Sequence, residues 1–209
     1  MKRMIILLVF LVTLMSCNVT YVSDDPIISP HKALLVMNMQ LDALGEDAKM
    51  PIVESQIEDL IETINTLTNE FYWDGYIIIY IKTVFSIEDE ESANYNNAFF
   101  EDTEGVEFDP RVKLLSIHNF EKNQADAFSN EDFENFLKTY NVDEIFLTGL
   151  YAETCVYTTI IAAVERKYKV NYIENAVGTQ DLEVLESIKE ELEEIGVNII
   201  TYEPEPEDS

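Results

Sequence analysis

The feature that most constrains the fold is the stretch 144–176, which switches twice between two kinds of apolar pattern. A short apolar run, 144–150, leads into apolar residues at helical spacing over 154–168, and a second apolar run follows at 169–174. A strand, a crossover helix and a second strand within about 30 residues form a βαβ unit with parallel strands. The stretch therefore predicts an α/β fold.

Four more apolar runs extend this pattern along the chain. Three of them, 32–38, 76–82 and 113–120, precede the βαβ unit, and the fourth, 197–202, follows it. Together with the two runs of the unit they make six predicted strands, separated mostly by helical patterns. Continuous apolar strands are typical of sheets covered on both faces, so we expect a three-layer α/β/α domain with a parallel sheet over residues 31–202.

The N-terminal residues have the layout of a secretory signal peptide. Two basic residues precede an apolar run at 4–15. As a helix this run would span roughly 18 Å, well short of the roughly 30 Å hydrocarbon core of a bilayer. We expect residues 1–16 to be removed as a signal peptide, residues 17–30 to act as a tether, and residues 203–209 to form an acidic disordered tail.

The end of the leader resembles the lipobox of bacterial lipoproteins. Its residues are Leu14-Met15-Ser16-Cys17, placed directly after the apolar run. The resemblance implies cleavage before Cys17, lipid on its sulfur, and a place in the bacterial cell envelope with the membrane reached only through that lipid. A plain secreted protein and an uncleaved anchor are the alternatives. Cys155 is the other cysteine, so no disulfide framework is implied and Cys155 is expected to be a free thiol.

The charge of the chain excludes polyanionic partners. Thirteen Lys and Arg residues stand against 41 Asp and Glu residues, a net charge of −28 at pH 7. Without residues 1–16, which hold two of the basic residues and no acidic one, the balance is 11 − 41 = −30. A surface of this sign repels nucleic acid and anionic lipid, so we expect neither as a partner.

Three polar or reactive side chains stand at predicted strand ends. Asn38 ends the first run, Lys122 follows the third, and Cys155 follows the fourth at the start of a helix. In open parallel sheets, ligands bind beyond the carboxyl ends of the strands, where the strand order reverses. A helix start also offers unpaired N–H groups and a positive dipole end, which lower a thiol pKa. The alternative is a buried cysteine that only packs.

Four segments resemble motifs of the isochorismatase-like cysteine hydrolases, which include nicotinamidases, carbamoylsarcosine amidases and isochorismatases. They are KALLVMNMQLD (32–42), EDTEGVEFDPRV (101–112), EKNQADAF (121–128) and TGLYAETCV (148–156). The resemblance covers residues 32–202. It implies a Rossmann-like, six-stranded parallel sheet in the order 3-2-1-4-5-6.

The resemblance also implies roles for individual residues. The family's catalytic Asp, Lys and Cys correspond to Asn38, Lys122 and Cys155, with Cys155 as nucleophile and Lys122 as the group that stabilises the thiolate. The family's acid–base carboxylate is therefore replaced by an amide. The backbone amides of Tyr151 and Cys155 would form an oxyanion hole beside a cis peptide bond between residues 150 and 151. Gln40 would contact the catalytic residues rather than the substrate.

No metal or other cofactor is expected. Metal-binding members of the family carry Asp-x-His-x-x-His after the second strand, but the corresponding segment here, 85–100, contains no His. His118 lies in a predicted strand and is expected to be structural. Asp42 is the nearest carboxyl group in the chain to Asn38, and we expect it to face solvent or cap a turn rather than replace the lost carboxylate.

The long connection 86–110 is polar, acidic and aromatic. Connections of this length are usually functional or mobile, so we expect this one to form walls of the binding pocket. Trp73 and the many Tyr and Phe residues are expected to fill the core.

Two functions remain open from the sequence. One is an amidase that hydrolyses a C–N bond of a small molecule through a thioester on Cys155, impaired by Asn38. The other is a catalytically inactive relative that binds a small molecule or a partner in the envelope. An isochorismatase-type vinyl-ether hydrolase is a third reading, but that chemistry needs the missing acid. A homo-oligomer follows only by analogy with the family.

Overall fold

Six parallel strands form the centre of the protein in a computed structural model that describes residues 31–204. They are β1 (His31–Met37), β2 (Ile77–Thr83), β3 (Asn119–Lys122), β4 (Val142–Leu150), β5 (Lys169–Gly178) and β6 (Asn198–Ile200). Their order, β3-β2-β1-β4-β5-β6, confirms the predicted one. The order reverses between β1 and β4, where a parallel sheet places its ligand crevice.

Helices cover the sheet and connect its strands. Within residues 31–204 the α-helices are α1 (Leu41–Leu44), α2 (Ile57–Trp73), α3 (Glu131–Thr139), α4 (Tyr157–Glu165) and α5 (Leu185–Glu194). None of these helices has both the length and the apolar composition that crossing a membrane requires. The predicted signal peptide, Cys17 and the tether lie outside the described residues, as do residues 205–209 of the predicted tail.

The two central strands are buried because their side chains meet a layer on each face. All five residues from Ala33 to Met37 in β1 are fully buried, as the continuous apolar run predicts. In α2 an apolar stripe at helical spacing packs toward the sheet, formed by Leu60, Ile61, Ile64 and Leu67. Trp73, at the end of that helix, is 77% exposed, so the expectation that it is a core residue is wrong.

The third strand differs from its prediction. The run 113–120 contains strand structure only at its end, because β3 begins at Asn119 and continues to Lys122. Apolar residues of the run face solvent, with Ile117 88% exposed. β3 is an edge strand paired only with β2, so its sequence lacks the continuous apolar pattern of a central strand. Lys122 is therefore the last residue of the strand rather than a residue beyond it.

A close approach of β1 and β4 brings the two central strand ends together. Gly149 has φ of +100°, and a Cβ atom there would lie 2.1 Å from the carbonyl oxygen of Met37. Only glycine fits this position, because it combines a positive φ with the absence of a side chain. Asn38 comes directly after Met37 with φ of +54°, a left-handed conformation that Asn tolerates better than most residues. The end of β1 thus lies against the turn that leaves β4.

Candidate active site

The turn after β4 carries Cys155 in a wide helical turn. The Leu150–Tyr151 peptide bond is cis, at the position that the resemblance implied. A π-helical turn, Ala152–Val156, follows, and α4 begins immediately after it. The helical segment therefore starts at Ala152, two residues before the predicted start at residue 154, and its first turn is π-helical. Cys155 lies inside this turn, just beyond the carboxyl end of β4, and is fully buried.

Lys122 contacts the thiol. Its Nζ donates three hydrogen bonds, to Sγ of Cys155 at 3.2 Å, to the hydroxyl of Thr83 at 2.8 Å and to the Gln124 carbonyl at 2.9 Å. An ammonium group has three N–H donors, so each has an acceptor. Lys122 is only 4% exposed, and a buried cation of this kind is stable when an anion faces it. The arrangement favours a thiolate at Cys155.

The hydroxyl of Thr83 fixes the orientation of the Asn38 side chain. Thr83 Oγ1 accepts a hydrogen bond from Lys122, so its own hydrogen is free to be donated. Oγ1 lies 3.0 Å from Oδ1 of Asn38 and donates to it. Because Oδ1 is bound to Thr83, the Nδ2 group forms the other end of the Asn38 amide. Nδ2 is buried without a hydrogen-bond partner. The site thus presents a hydrogen-bond donor at the position where the resemblance implied a carboxylate.

Gln40 holds Thr83 in place through the Thr83 backbone. Its Oε1 accepts from the Thr83 backbone N–H at 2.9 Å, and its Nε2 donates to the Thr83 carbonyl at 2.8 Å. Nε2 also donates to the Val106 carbonyl at 2.7 Å, which ties the long connection to the same point. Gln40 is fully buried and has no hydrogen bond to Cys155. Gln40 therefore contacts Thr83, which lies next to Lys122 and Asn38, and its supporting role stays a prediction.

Tyr95 is a second contact of the thiol. It lies in a 3₁₀ turn, Glu90–Tyr95, of the long connection, and its hydroxyl is 3.5 Å from Cys155 Sγ. Its ring is buried against Phe85 and Phe99, with centroids 5.1 Å and 6.3 Å away. Sequence reasoning missed both Tyr95 and Thr83. The available signals were the aromatic character of the connection and the position of Thr83 at the end of a strand beside β1.

Opposing effects act on the pKa of the Cys155 thiol, and those that stabilise the thiolate dominate. Burial alone would raise the pKa of Cys155, because it disfavours the charged form. The Lys122 ammonium and hydrogen bonds from Tyr95 and Lys122 outweigh burial and hold this pKa below its ordinary value. The amide of Asn38 faces the sulfur and acts in the same direction, although Nδ2 completes no hydrogen bond. Burial, and then the charge of the thiolate, raise the pKa of Tyr95, which keeps its proton.

Asp42 does not face solvent, so that part of the expectation is wrong. The residue is 4% exposed, and its carboxylate accepts a 2.6 Å hydrogen bond from the backbone N–H of Phe99. It also packs against Gly105, where a Cβ atom would lie 2.2 Å from the carboxyl carbon. Both partners belong to the connection 86–110. Asp42 therefore anchors that connection to α1 rather than replacing the lost carboxylate beside the thiol.

The residues around the thiol do not fit a catalytic metal. Within residues 31–204, no three His, Cys, Asp or Glu side chains are grouped so that they hold a metal ion. The segment after β2 presents Tyr95 to the site instead of imidazole ligands. His118 packs against the rings of Phe136 and Tyr140, at centroid distances of 4.7 Å and 5.9 Å, and is structural as expected.

Two open cavities lie between the long connection and β3. One has a volume of about 360 Å³ and is lined by Lys122, and the other has a volume of about 460 Å³ and is lined by Thr158 of α4. Asp89 and Asn123 line both cavities, and Nδ2 of Asn123 donates a 2.9 Å hydrogen bond to Asp89. The first cavity reaches Lys122, the charged partner of the buried thiol, so it brings solvent next to the site.

Comparison with known proteins agrees with this fold and motif pattern. The sequence model of the family described as “Isochorismatase domain” matches residues 32–203. The chain belongs to the isochorismatase family. A curated member, the uncharacterized isochorismatase family protein YddQ of Bacillus subtilis, is 28% identical over 157 residues, which are 75% of this chain and 82% of that protein.

Solved structures of two other proteins share the fold. The nicotinamidase PncA of Bacillus subtilis has a TM-score of 0.74 and 22% identity, and the match covers 80% of this chain and 98% of that one. The N-carbamoylsarcosine amidase of Thermoplasma acidophilum has a TM-score of 0.72 and 18% identity, with 84% and 99% covered. At these identities the likeness shows a common fold and no more.

Proposed function

We propose that this protein is a cysteine hydrolase that opens a C–N bond of a small-molecule amide through a thioester on Cys155. The observation that carries the proposal is the Lys122 ammonium 3.2 Å from a fully buried thiol whose pKa lies below its ordinary value. Reactive cysteines occur where a cation stabilises the thiolate, whereas inert buried cysteines have apolar surroundings. The enclosed position of the sulfur favours a small substrate over a polymer.

The chemistry follows the general scheme of nucleophilic catalysis. The Cys155 thiolate attacks the carbonyl carbon of the substrate, and negative charge develops on the carbonyl oxygen. Backbone N–H groups of Tyr151 and Cys155 are our candidates for stabilising that oxygen. Collapse of the tetrahedral adduct expels the amine and leaves a thioester, which water hydrolyses to release the acid and restore the thiolate.

Asn38 is expected to slow this cycle. Its side chain has no acidic proton and no basic lone pair, so it neither protonates the leaving amine nor activates water. General acid–base assistance is worth about 10²–10⁴-fold in rate, and its loss raises the barrier by about 3–5 kcal/mol. The thiolate itself does not depend on a carboxylate, because Lys122 stabilises it directly. Acylation by reactive substrates therefore survives better than complete turnover.

The proposal is tested by mass spectrometry of the intact protein after exposure to a panel of small amides and their activated esters. We expect a mass increase equal to the acyl group, mapped to Cys155 and removed by hydroxylamine. A Cys155→Ala variant controls for acylation of lysine and tyrosine. If no member of the panel acylates Cys155, or if the adduct is the same in Cys155→Ala, the proposed chemistry is wrong.

A binding protein without catalysis is the second candidate. Two observations favour it: Cys155 is fully buried, and the unpartnered Nδ2 of Asn38 is a donor suited to holding an oxygen of a ligand. In this case a ligand identified by calorimetry would bind wild type and Cys155→Ala equally, and no acyl adduct would form. We also propose an envelope location for either function, supported by the lipobox-like residues before Cys17.

A further inference from the structure

The proposed cycle needs a proton donor for the leaving amine, and the usual candidates in the site are unsuitable. Asn38 has no acidic proton. Lys122 already donates its three N–H groups to fixed acceptors, and its charge is what keeps the thiolate stable. The Thr83 hydroxyl is held between Lys122 and Asn38. Within residues 31–204, Sγ of Cys155 has one other hydrogen-bond partner, the hydroxyl of Tyr95.

We propose that Tyr95 is a catalytic residue, which gives its hydroxyl proton to the leaving amine and recovers a proton from the attacking water. This inference rests on the proposed hydrolase function. It assigns to a tyrosine of the long connection the proton transfer that Asn38 is unable to perform.

The position of the hydroxyl carries the inference. It lies 3.5 Å from Sγ, so a nitrogen attached to the carbon that Sγ attacks comes within reach of it. The ring is held between Phe85 and Phe99, which limits its freedom. The preceding turn is fixed by Asp89, whose carboxylate accepts from the backbone N–H and the hydroxyl of Ser86 at 2.7 Å and 2.9 Å. The hydroxyl is therefore pre-positioned at the reacting atom.

The first step balances without any additional reactant. The C–S bond forms, the C–N bond breaks, and the departing nitrogen takes the Tyr95 proton. The products are a Cys155 thioester, a neutral amine and a Tyr95 phenolate. One negative charge leaves the sulfur and one appears on the phenolate oxygen in the same pocket, so the Lys122 ammonium still faces a single anion.

The second step restores the starting state. A water oxygen attacks the thioester carbon while the phenolate of Tyr95 accepts the water proton. The new C–O bond forms, the C–S bond breaks, and the products are a carboxylic acid, the Cys155 thiolate and the Tyr95 hydroxyl. A buried phenol is a weaker acid than a carboxyl group at neutral pH, so this cycle is slower than one with an aspartate. The inference thus agrees with a slow hydrolase.

The experiment compares two leaving groups on one acyl group. A p-nitrophenyl ester expels a stable anion that needs no proton, whereas the matching anilide expels an amine that does. Single-turnover acylation of Cys155 is followed with both substrates in wild type and in Tyr95→Phe, which removes the hydroxyl and keeps the ring. We expect about a 10²–10⁴-fold loss with the anilide and little change with the ester.

Two further variants make the result specific. Tyr80→Phe is the matched control, because Tyr80 is a buried tyrosine whose hydroxyl donates to the Lys113 carbonyl at 2.9 Å and is absent from the proposed machinery. It should acylate with both substrates at the wild-type rate. Tyr95→Met also lacks the hydroxyl, and its flexible side chain adapts to the pocket, so it must repeat the anilide-selective loss if Tyr95→Phe folds poorly.

Failure of the inference is distinguishable from failure of the proposed function. If wild type is acylated at Cys155 but Tyr95→Phe loses nothing, or loses ester and anilide equally, Tyr95 is not the proton donor and the hydrolase proposal stands. If wild type is acylated by neither substrate, the hydrolase proposal fails and the role of Tyr95 fails with it.

Discussion

The hydroxyl of Thr83 donates a 3.0 Å hydrogen bond to Oδ1 of Asn38, and this contact determines what the site presents to a substrate. The hydroxyl donates in this bond because the carboxamide oxygen carries no hydrogen, and the same hydroxyl accepts from the Lys122 ammonium. Asn38 must therefore turn its NH₂ group toward the thiol side. An aspartate in the same rotamer would place a carboxylate oxygen there, so a single atom separates the observed site from one with an acid–base group.

Replacing Thr83 tests the importance of this contact for stability. Thr83→Val keeps the shape but leaves the buried Lys122 ammonium without one acceptor, so we expect the free energy of unfolding to fall by about 1–3 kcal/mol. Thr83→Ser keeps the hydroxyl and loses one methyl group, worth about 0.8 kcal/mol. Urea denaturation should rank the Ser variant above the Val variant. The reverse order would indicate that apolar burial, rather than the hydrogen bonds, dominates at this position.

The reactivity of Cys155 should depend on Lys122. We expect iodoacetamide to alkylate Cys155 at pH 7 faster than a free cysteine, because the Lys122 ammonium holds the thiol pKa below its ordinary value. Lys122→Ala removes the charge that most opposes the effect of burial, so the pKa of Cys155 should rise and the midpoint of the rate-against-pH curve should move to higher pH.

A second lysine provides the control for that experiment. Lys82 precedes the last residue of β2 and pairs with Glu107 and Glu121, at 3.8 Å and 3.5 Å. Lys82→Ala removes one positive charge but no partner of the thiol, so the alkylation curve should stay at the wild-type midpoint. An equal shift in both variants, or an inert Cys155 in folded wild type, would support a cysteine that only packs.

Glycine at position 149 should be essential for the approach of β1 and β4. Gly149→Ala combines an unfavourable φ with a clash against the Met37 carbonyl. Gly75→Ala is the matched control, because Gly75 has φ of +82° and open space around its Cβ position. We expect Gly75→Ala to cost roughly 1–2 kcal/mol from the backbone conformation alone, and Gly149→Ala to cost clearly more. If both variants lose the same free energy of unfolding in a denaturation experiment, the clash with the Met37 carbonyl does not contribute to the cost.

The strand order and the meeting of Asn38, Lys122 and Cys155 were predictable from the sequence. Buried parallel strands leave continuous apolar runs, and the carboxyl ends of such strands converge at one edge of the sheet. β3 was harder to place because an edge strand needs no such run, and its predicted residues 113–118 instead form a partly exposed segment outside the sheet. The starting point of the helix before Cys155 was missed because a π-helical turn leaves no periodic signature of its own.

The contacts of Asp42 with Phe99 and of Tyr95 with Cys155 could not be predicted from the sequence, for a different reason. Both depend on the path of the connection 86–110, which has no regular periodicity. Phe99 brings its backbone N–H to Asp42, and the turn at Glu90–Tyr95 brings a hydroxyl to Cys155. Long-range contacts of this kind are set by how the connection packs on the sheet, so neither residue type nor spacing along the chain predicts them.

Cys17 should be the first residue of the mature protein. The motivating residues are the apolar run 4–15 and Leu14-Met15-Ser16-Cys17. We expect a bacterial host to export the protein, and mass spectrometry of the membrane fraction to find an N-terminal Cys17 that carries lipid. Cys17→Ala should prevent lipidation and release the protein from that fraction. An intact Met1 leader, or an unmodified Cys17 in a soluble fraction, would refute this location.

Asn38→Asp tests the central claim that Cys155 forms a thioester whose turnover is limited by the missing carboxylate. The substitution keeps the side-chain shape and its bond from Thr83, while it supplies a group that can transfer protons.

The measurement is the rate at which the Cys155 acyl adduct forms and disappears, followed by intact mass with one amide and its activated ester. We predict that wild type accumulates the adduct and that Asn38→Asp raises complete turnover of the amide at least about tenfold, a modest part of what acid–base assistance provides. Rapid turnover by wild type that Asn38→Asp slows would contradict the account, as would the absence of any adduct on Cys155 in both proteins.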